Sequence, residues 1–250
     1  MVLTACGDEE QTASEKQDTE QIVEDVEAAN GQEKEQGTEE GVSSNTNTAS
    51  ENEEKTSSFQ SEIPSEWDIT LPSDFPVKQE KNLTAMTSSQ QDTVKFEFYE
   101  TDKELAVNDP NIEKTGQFIG TLEIAKYANT EAASEEIDQT VYSQGEAVNL
   151  GHGITGYQDG GAGSLFTSWN EGRWAITARS TTEKSEESLA TAKETVEFLE
   201  TNKMPIPKQY GQLHIDAENS GSMAKWQKES YVYTLADFGD NTLNWLVTFD

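Results

Sequence analysis

Arginine, histidine and cysteine are nearly missing from this 250-residue chain: Arg173, Arg179, His152, His214 and Cys6 are the whole inventory. A single cysteine excludes an intrachain disulfide. Neither histidine has a second ligand at metal-binding spacing, so no zinc motif is present, and no Gly-x-Ser-x-Gly elbow marks a nucleophile. Positive charge is scarce, with 17 Lys and Arg against 48 Asp and Glu and a formal net charge of -31. That balance excludes nucleic acid as a partner, because binding it requires cations against the phosphates. Anionic lipid headgroups are repelled for the same reason. No apolar run approaches the length of a transmembrane helix. No cofactor signature is found, and none is expected.

Aromatic residues are also unevenly placed. From Cys6 to Ser58 there is no Phe, Tyr or Trp, whereas all five Trp lie later, at 67, 169, 174, 226 and 245. Between Asp8 and Lys55 there are 16 acidic residues against three lysines. Such a segment has too little apolar surface to offset the entropy of folding, so residues 7–60 read as a disordered acidic linker. A coil of about 50 residues has a root-mean-square reach of roughly 40 Å. Residues 61–250 then form a single domain, long enough to bury a sizeable core and acidic in its own right.

Cys6 sits in Met1-Val2-Leu3-Thr4-Ala5-Cys6-Gly7. Leu-x-Ala-Cys followed by Gly resembles a bacterial lipobox, in which the signal peptidase cuts before a cysteine that carries diacylglyceryl. Thr4 and Ala5 supply the small residues this requires. The charged and apolar parts of such a signal are missing, so residues 1–6 read as its remnant. The resemblance implies lipidation at Cys6, anchoring to the cell membrane on its extracytoplasmic face, and contact with the membrane through that lipid alone. Two acyl chains suffice for stable anchoring.

The domain opens on Ile63-Pro64 and Leu71-Pro72-Ser73-Asp74-Phe75-Pro76, an extended lead-in pinned by Trp67 and Phe75. Paired strands are expected over 77–87 and 92–100, where Val94, Phe96 and Phe98 alternate with polar residues. A third is expected over 115–127, a helix over 131–142 capped by Asn129 or Thr130, and a strand over 148–157. Asp159 to Gly163 reads as a turn. Residues 165–170 and 173–179 form a hairpin about Glu171-Gly172. A second helix follows, capped by Ser180 or Thr182, with Leu189, Ala192, Val196 and Leu199 on its face and Pro205 and Pro207 beyond its end. A short strand at 213–215 precedes a long final hairpin, 224–238 and 242–249, turning at Gly239-Asp240-Asn241. Trp169-x4-Trp174-x-Ile176 echoes Trp226-x4-Tyr231-x-Tyr233, which fits either a duplicated hairpin or two unrelated aromatic ones. The expected class is α+β: an antiparallel sheet with two helices packed on one face.

Within Ser168–Leu199, Trp169-Asn170-Glu171-Gly172 leads into an aromatic strand and an Ala- and Leu-bearing helix. This block resembles a domain of unknown function found in Bacillus-type lipoproteins and anti-sigma factors, itself similar to PsbP-like sandwiches. The resemblance implies a fold and an envelope setting, and carries no catalytic signature.

Several motifs dissolve on inspection. Gly151-His152-Gly153-Ile154-Thr155-Gly156 spells a dinucleotide fingerprint, but no helix follows to hold a pyrophosphate. Asp237-Phe238-Gly239 lacks every other kinase element. The acidic loops at Asp102, Asp109, Asp159, Asp216, Glu218, Asp237 and Asp240 follow no calcium-loop pattern, so no metal site is expected. Arg173 and Arg179 share a strand parity, suited either to gripping an anion or to surface pairing. The reading is a non-catalytic binding or interaction module, not an enzyme, for an envelope protein or small ligand. Its binding candidates are Trp169, Arg173, Arg179, Tyr231 and Tyr233, with the aromatics as candidates for an exposed patch although most of them should be core. The alternatives are an envelope hydrolase using His152 or His214 with carboxylates, and a sporulation or stress-signalling regulator.

Overall fold

The computed structural model describes residues 58–218 and 221–250. The lipobox, Cys6 and all but the last residues of the acidic linker lie outside them. Strand β1 (Asn82–Gln90), β2 (Thr93–Thr101) and β3 (Gln117–Lys126) form an antiparallel meander. After these come β4 (Glu146–Gly151), β5 (Ile154–Gly161), β6 (Ser164–Glu171) and β7 (Trp174–Thr181), a second meander. The third is β8 (Gly211–Asp216), β9 (Met223–Lys228) and β10 (Tyr231–Ala236). All ten make one sheet in the order β1-β2-β3-β10-β9-β8-β7-β6-β5-β4. Every pairing is antiparallel except β7–β8. Parallel neighbours need a long crossover, and α3 (Glu187–Leu199) lies in it. The other helices are one turn or so: α1 (Ile112–Thr115), α2 (Thr130–Ser134) and α4 (Thr242–Leu246). The molecule is therefore sheet-dominated. Among the described residues no helix is long and apolar enough to cross a membrane.

One face of the sheet carries the main core. Val94, Phe96 and Phe98 of β2, Leu122 and Ile124 of β3, Tyr231, Tyr233 and Leu235 of β10, Trp226 of β9 and Ile176 of β7 all enter one cluster. The lead-in roofs its β1–β3 end, beginning with Phe59, whose ring meets Phe75, Phe96 and Phe98 edge-on at 5.5–6.5 Å. Gln60 fixes this segment by donating to the Ile69 carbonyl and accepting from the Leu71 amide, both at 2.9 Å. Trp67 and Phe75 are buried as the sequence implied. Gly120 is required here: a Cβ on it would lie 2.5 Å from the Phe238 ring. Helix α3 covers the β6–β7 end through Ala192, Val196 and Leu199.

The expectation of two helices on one face is corrected. Val232 alternates with Tyr231 and Tyr233 and so points to the opposite face, where it packs with Ala133 and Ile137 behind α2. Helix α2 and helix α3 thus lie on opposite sides of the sheet. The helix expected over 131–142 also stops at Ser134, although Asn129 caps it by accepting from the Ala132 amide at 2.9 Å. This segment must carry the chain from central β3 to edge β4, and extended backbone covers about twice the distance per residue that helix does. The strap is held by Lys225 Nζ donating to the Glu136 carbonyl, Asn170 Nδ2 donating to the Thr140 carbonyl, and the Tyr142 hydroxyl against Thr177.

Three further expectations change. The strand over 148–157 is a hairpin, because Gly151, His152 and Gly153 all adopt positive φ (95°, 50° and 79°) and reverse the chain. Neither Ser180 nor Thr182 caps α3: Ser180 still belongs to β7, and residues 182–184 form a 3-10 turn before the helix. The final hairpin turns earlier, at Glu229-Ser230, and residues 242–249 are helical rather than a strand. Thr242, Trp245 and Leu246 are buried at helical spacing, and Trp245 stacks on Phe238 at 4.2 Å and Phe75 at 5.1 Å.

Candidate functional site

The five binding candidates do not meet as an exposed patch. Trp169, Tyr231 and Tyr233 are 0%, 8% and 1% exposed, because each occupies a core-facing position of its hairpin. Both arginines are spent on structure. Arg173 Nη1 donates to the Pro207 carbonyl at 2.7 Å and the Lys208 carbonyl at 3.1 Å. Arg179 pairs with buried Asp216 and donates through Nε to Ser164 Oγ at 3.0 Å.

Among the described residues neither histidine hydrogen-bonds a hydroxyl. His152, at the β4–β5 turn, bonds Glu197 of α3 at 2.8 Å and faces Glu200 at 3.6 Å. The hydrogen bond to Glu197 raises its pKa, with both carboxylate charges adding to the rise. Burial lowers the pKa of His214, which sits in β8 beside Thr177 of β7 and Met223 of β9. Among the described residues no group of three His, Cys, Asp or Glu is gathered as a metal site.

Two clefts open side by side where three remote segments converge. Between them stands Ile206, held between Pro205 and Pro207 and 80% exposed. One cleft, of about 490 Å³, is bounded by Glu171, Trp174, Leu199 and Met204. The other, of about 450 Å³, is bounded by the lead-in at Thr70–Pro72, by Trp226, Lys228 and Tyr233, and by Phe249 and Asp250. Both volumes fall in the range of small-molecule sites. A third cleft, of about 410 Å³, separates α3 from α4 over Asp216 and Ser222.

The two neighbouring clefts hold buried polar atoms that the protein leaves unanswered. One carboxylate oxygen of Glu171 has no hydrogen-bond partner, and neither has the Tyr233 hydroxyl. Buried polar atoms are otherwise paired in nearly every protein interior, since leaving one bare costs about 1–3 kcal/mol. Burial pushes the Glu171 carboxyl up; the Trp169 indole works against this, and Glu200 adds to it. Burial also pushes the Tyr233 phenol well above its ordinary value, which keeps it a neutral donor. Its ring is fixed by stacking on Trp226 at 5.1 Å and by Phe249 edge-on at 6.1 Å.

Tyr233 was thus singled out by sequence, but for an exposed ring rather than a buried hydroxyl. Lys228, Glu171, Ile206 and Asp250 were not. The one local signal was Pro205-Ile206-Pro207, an apolar residue between prolines that no core position requires. Comparison with protein-family models, curated proteins and solved structures finds no match to this chain.

Proposed function

We propose that this protein is an extracytoplasmic lipoprotein, anchored in the cell membrane by a diacylglyceryl group on Cys6, whose domain is a non-catalytic binding module. The observation that carries the binding role is the sealed, unpartnered Tyr233 hydroxyl beside a cleft of ligand size. The anchoring rests on Leu3-Thr4-Ala5-Cys6-Gly7 and on the acidic, aromatic-free segment between it and Phe59. The likeness of Ser168–Leu199 to the domain of Bacillus-type lipoproteins, with its PsbP-like relatives, supports the same setting. A histidine hydrolase is less well supported: among the described residues the polar partners of the His152 ring are two carboxylates, Glu197 and Glu200, whereas an activated nucleophile needs its hydroxyl within reach of the base.

The test compares wild type with Cys6→Ala, expressed behind a complete signal sequence. The expected result is a diacylglyceryl mass increment and membrane partition in wild type, both lost in the variant. Soluble, unmodified wild type overturns the anchoring.

A further inference from the structure

Four groups of the Tyr233 cleft differ in chemistry and are all unsatisfied or apolar. The phenolic hydroxyl is buried without a partner. Lys228 and Asp250 both line the cleft, and among the described residues neither forms an ion pair, with the other or with any third group. The remaining wall is mostly apolar, with Trp226, Phe249 and Ile206 its largest side chains beside Thr70 and Thr248. Several other described lysines, Lys103 and Lys193 among them, also lack a carboxylate partner. Lys208, by contrast, reaches Glu229 at 3.0 Å.

We propose that this cleft binds a small zwitterion with an apolar body, in chemical terms a free α-amino acid bearing an aliphatic or aromatic side chain. This rests on the binding-module reading above and names its ligand class. The ligand carboxylate takes the Lys228 ammonium and, as the cleft wall gives way to admit it to the buried phenol, a hydrogen bond donated by the Tyr233 hydroxyl. The ligand ammonium takes the Asp250 carboxylate, and the apolar side chain lies against Trp226, Phe249 and Ile206. A simple anion would leave Asp250 opposing it; a simple cation would leave Lys228 opposing it and the phenol unanswered. Only a ligand carrying both charges answers Lys228, Asp250 and the phenol together. Hydrogen bonds to charged groups in a partly enclosed site contribute more than neutral ones, so each is expected to be visible in affinity.

The experiment uses the full chain in unlipidated form, with three probes that share one apolar body. These are L-phenylalanine, 3-phenylpropionate, which lacks the ammonium, and phenethylamine, which lacks the carboxylate. Binding is followed by calorimetry and by ligand-observed NMR. Phenylalanine is expected to bind at least about tenfold more tightly than either truncated probe. Lys228→Gln should reduce phenylalanine to the level of phenethylamine, and Asp250→Asn to that of 3-phenylpropionate. Lys184→Gln, on the 3-10 turn before α3, should change nothing. Equal affinity for all three probes, no binding of any, or indifference to both charge variants overturns the proposal. Membrane partition of wild type and Cys6→Ala is scored separately, so a failed ligand class is distinguishable from a failed anchor.

Discussion

Hairpins β6–β7 and β9–β10 are built to the same register and put to different uses. In the first, Trp169 faces Ile176 and Glu171 faces Trp174 across a two-residue turn. In the second, Trp226 faces Tyr233 and Lys228 faces Tyr231, again across two residues. The sequence echo between Trp169 and Trp226 is therefore a real structural correspondence. The roofs differ: thirteen-residue α3 lies over the first hairpin, while five-residue α4 and the aromatic pile of Phe75, Phe238 and Trp245 serve the second. So do the side chains facing the tryptophans. Ile176 has no polar atom to satisfy, whereas Tyr233 brings a hydroxyl into the same kind of position and leaves it unpaired. At the matching next positions the charge is reversed, Glu171 against Lys228, and each lines its own cleft beside Ile206. One hairpin plan thus borders two clefts on either side of Ile206, with Glu171 on one and Lys228 and the unpaired Tyr233 hydroxyl on the other. The buried Trp169 indole of the first hairpin is unpaired too.

The correspondence predicts equal structural weight for the two tryptophans. Trp169→Ala and Trp226→Ala should each cost about 3–5 kcal/mol in urea unfolding. A difference of more than about 2 kcal/mol between them would break the equivalence. Gly211→Ala presses first on the first hairpin, because a Cβ there would sit 2.7 Å from the Trp174 ring, although Gly211 also pairs with Trp226 of β9. Overpacking of this kind should cost about 1–3 kcal/mol, with little change at the Tyr233 cleft; a lower phenylalanine affinity in this variant would show that the two clefts are coupled.

Much of this architecture was legible. The alternation of Val94, Phe96 and Phe98, the Glu171-Gly172 hairpin and the Ala192–Val196–Leu199 stripe each placed an element within a few residues. Where local pattern and tertiary demand conflicted, the pattern lost. Residues 135–142 read as helix, yet the span from β3 to the far edge of the sheet draws them out into a strap. Residues 242–249 carry a helical signal, with Thr242, Trp245, Leu246 and Phe249 at three-, four- and seven-residue spacing, that their strand propensity masks. The candidate site was scarcely legible, since Thr70, Ile206, Lys228 and Phe249 meet only in the fold. Sequence reading finds chemistry that is local in the chain, and this cleft is not.

The histidines sharpen the comparison at smaller amplitude, because His152 ties the second meander to its roof, α3, through a titrating group. His152 has a raised pKa in the folded chain. Its contribution is therefore fully present below the unfolded value near 6.5 and is lost as pH rises through the folded pKa. His152→Gln should flatten that alkaline loss of melting temperature. His214 has a lowered pKa, so its effect runs the other way: stability is lost as pH falls below about 6.5 toward the folded pKa. His214→Asn should remove that acid loss and leave the alkaline limb alone. Melting curves across pH 5–9 check both, and a shared limb for the two variants would refute the assignment.

The most direct measurement is Tyr233→Phe, scored at once for unfolding midpoint and for phenylalanine affinity. If the hydroxyl is reserved for a ligand, deleting it removes a bare buried polar group. The midpoint then stays level or rises, while affinity falls about tenfold. A lower midpoint, or an affinity that does not change, would mean that the hydroxyl serves the fold and not a ligand.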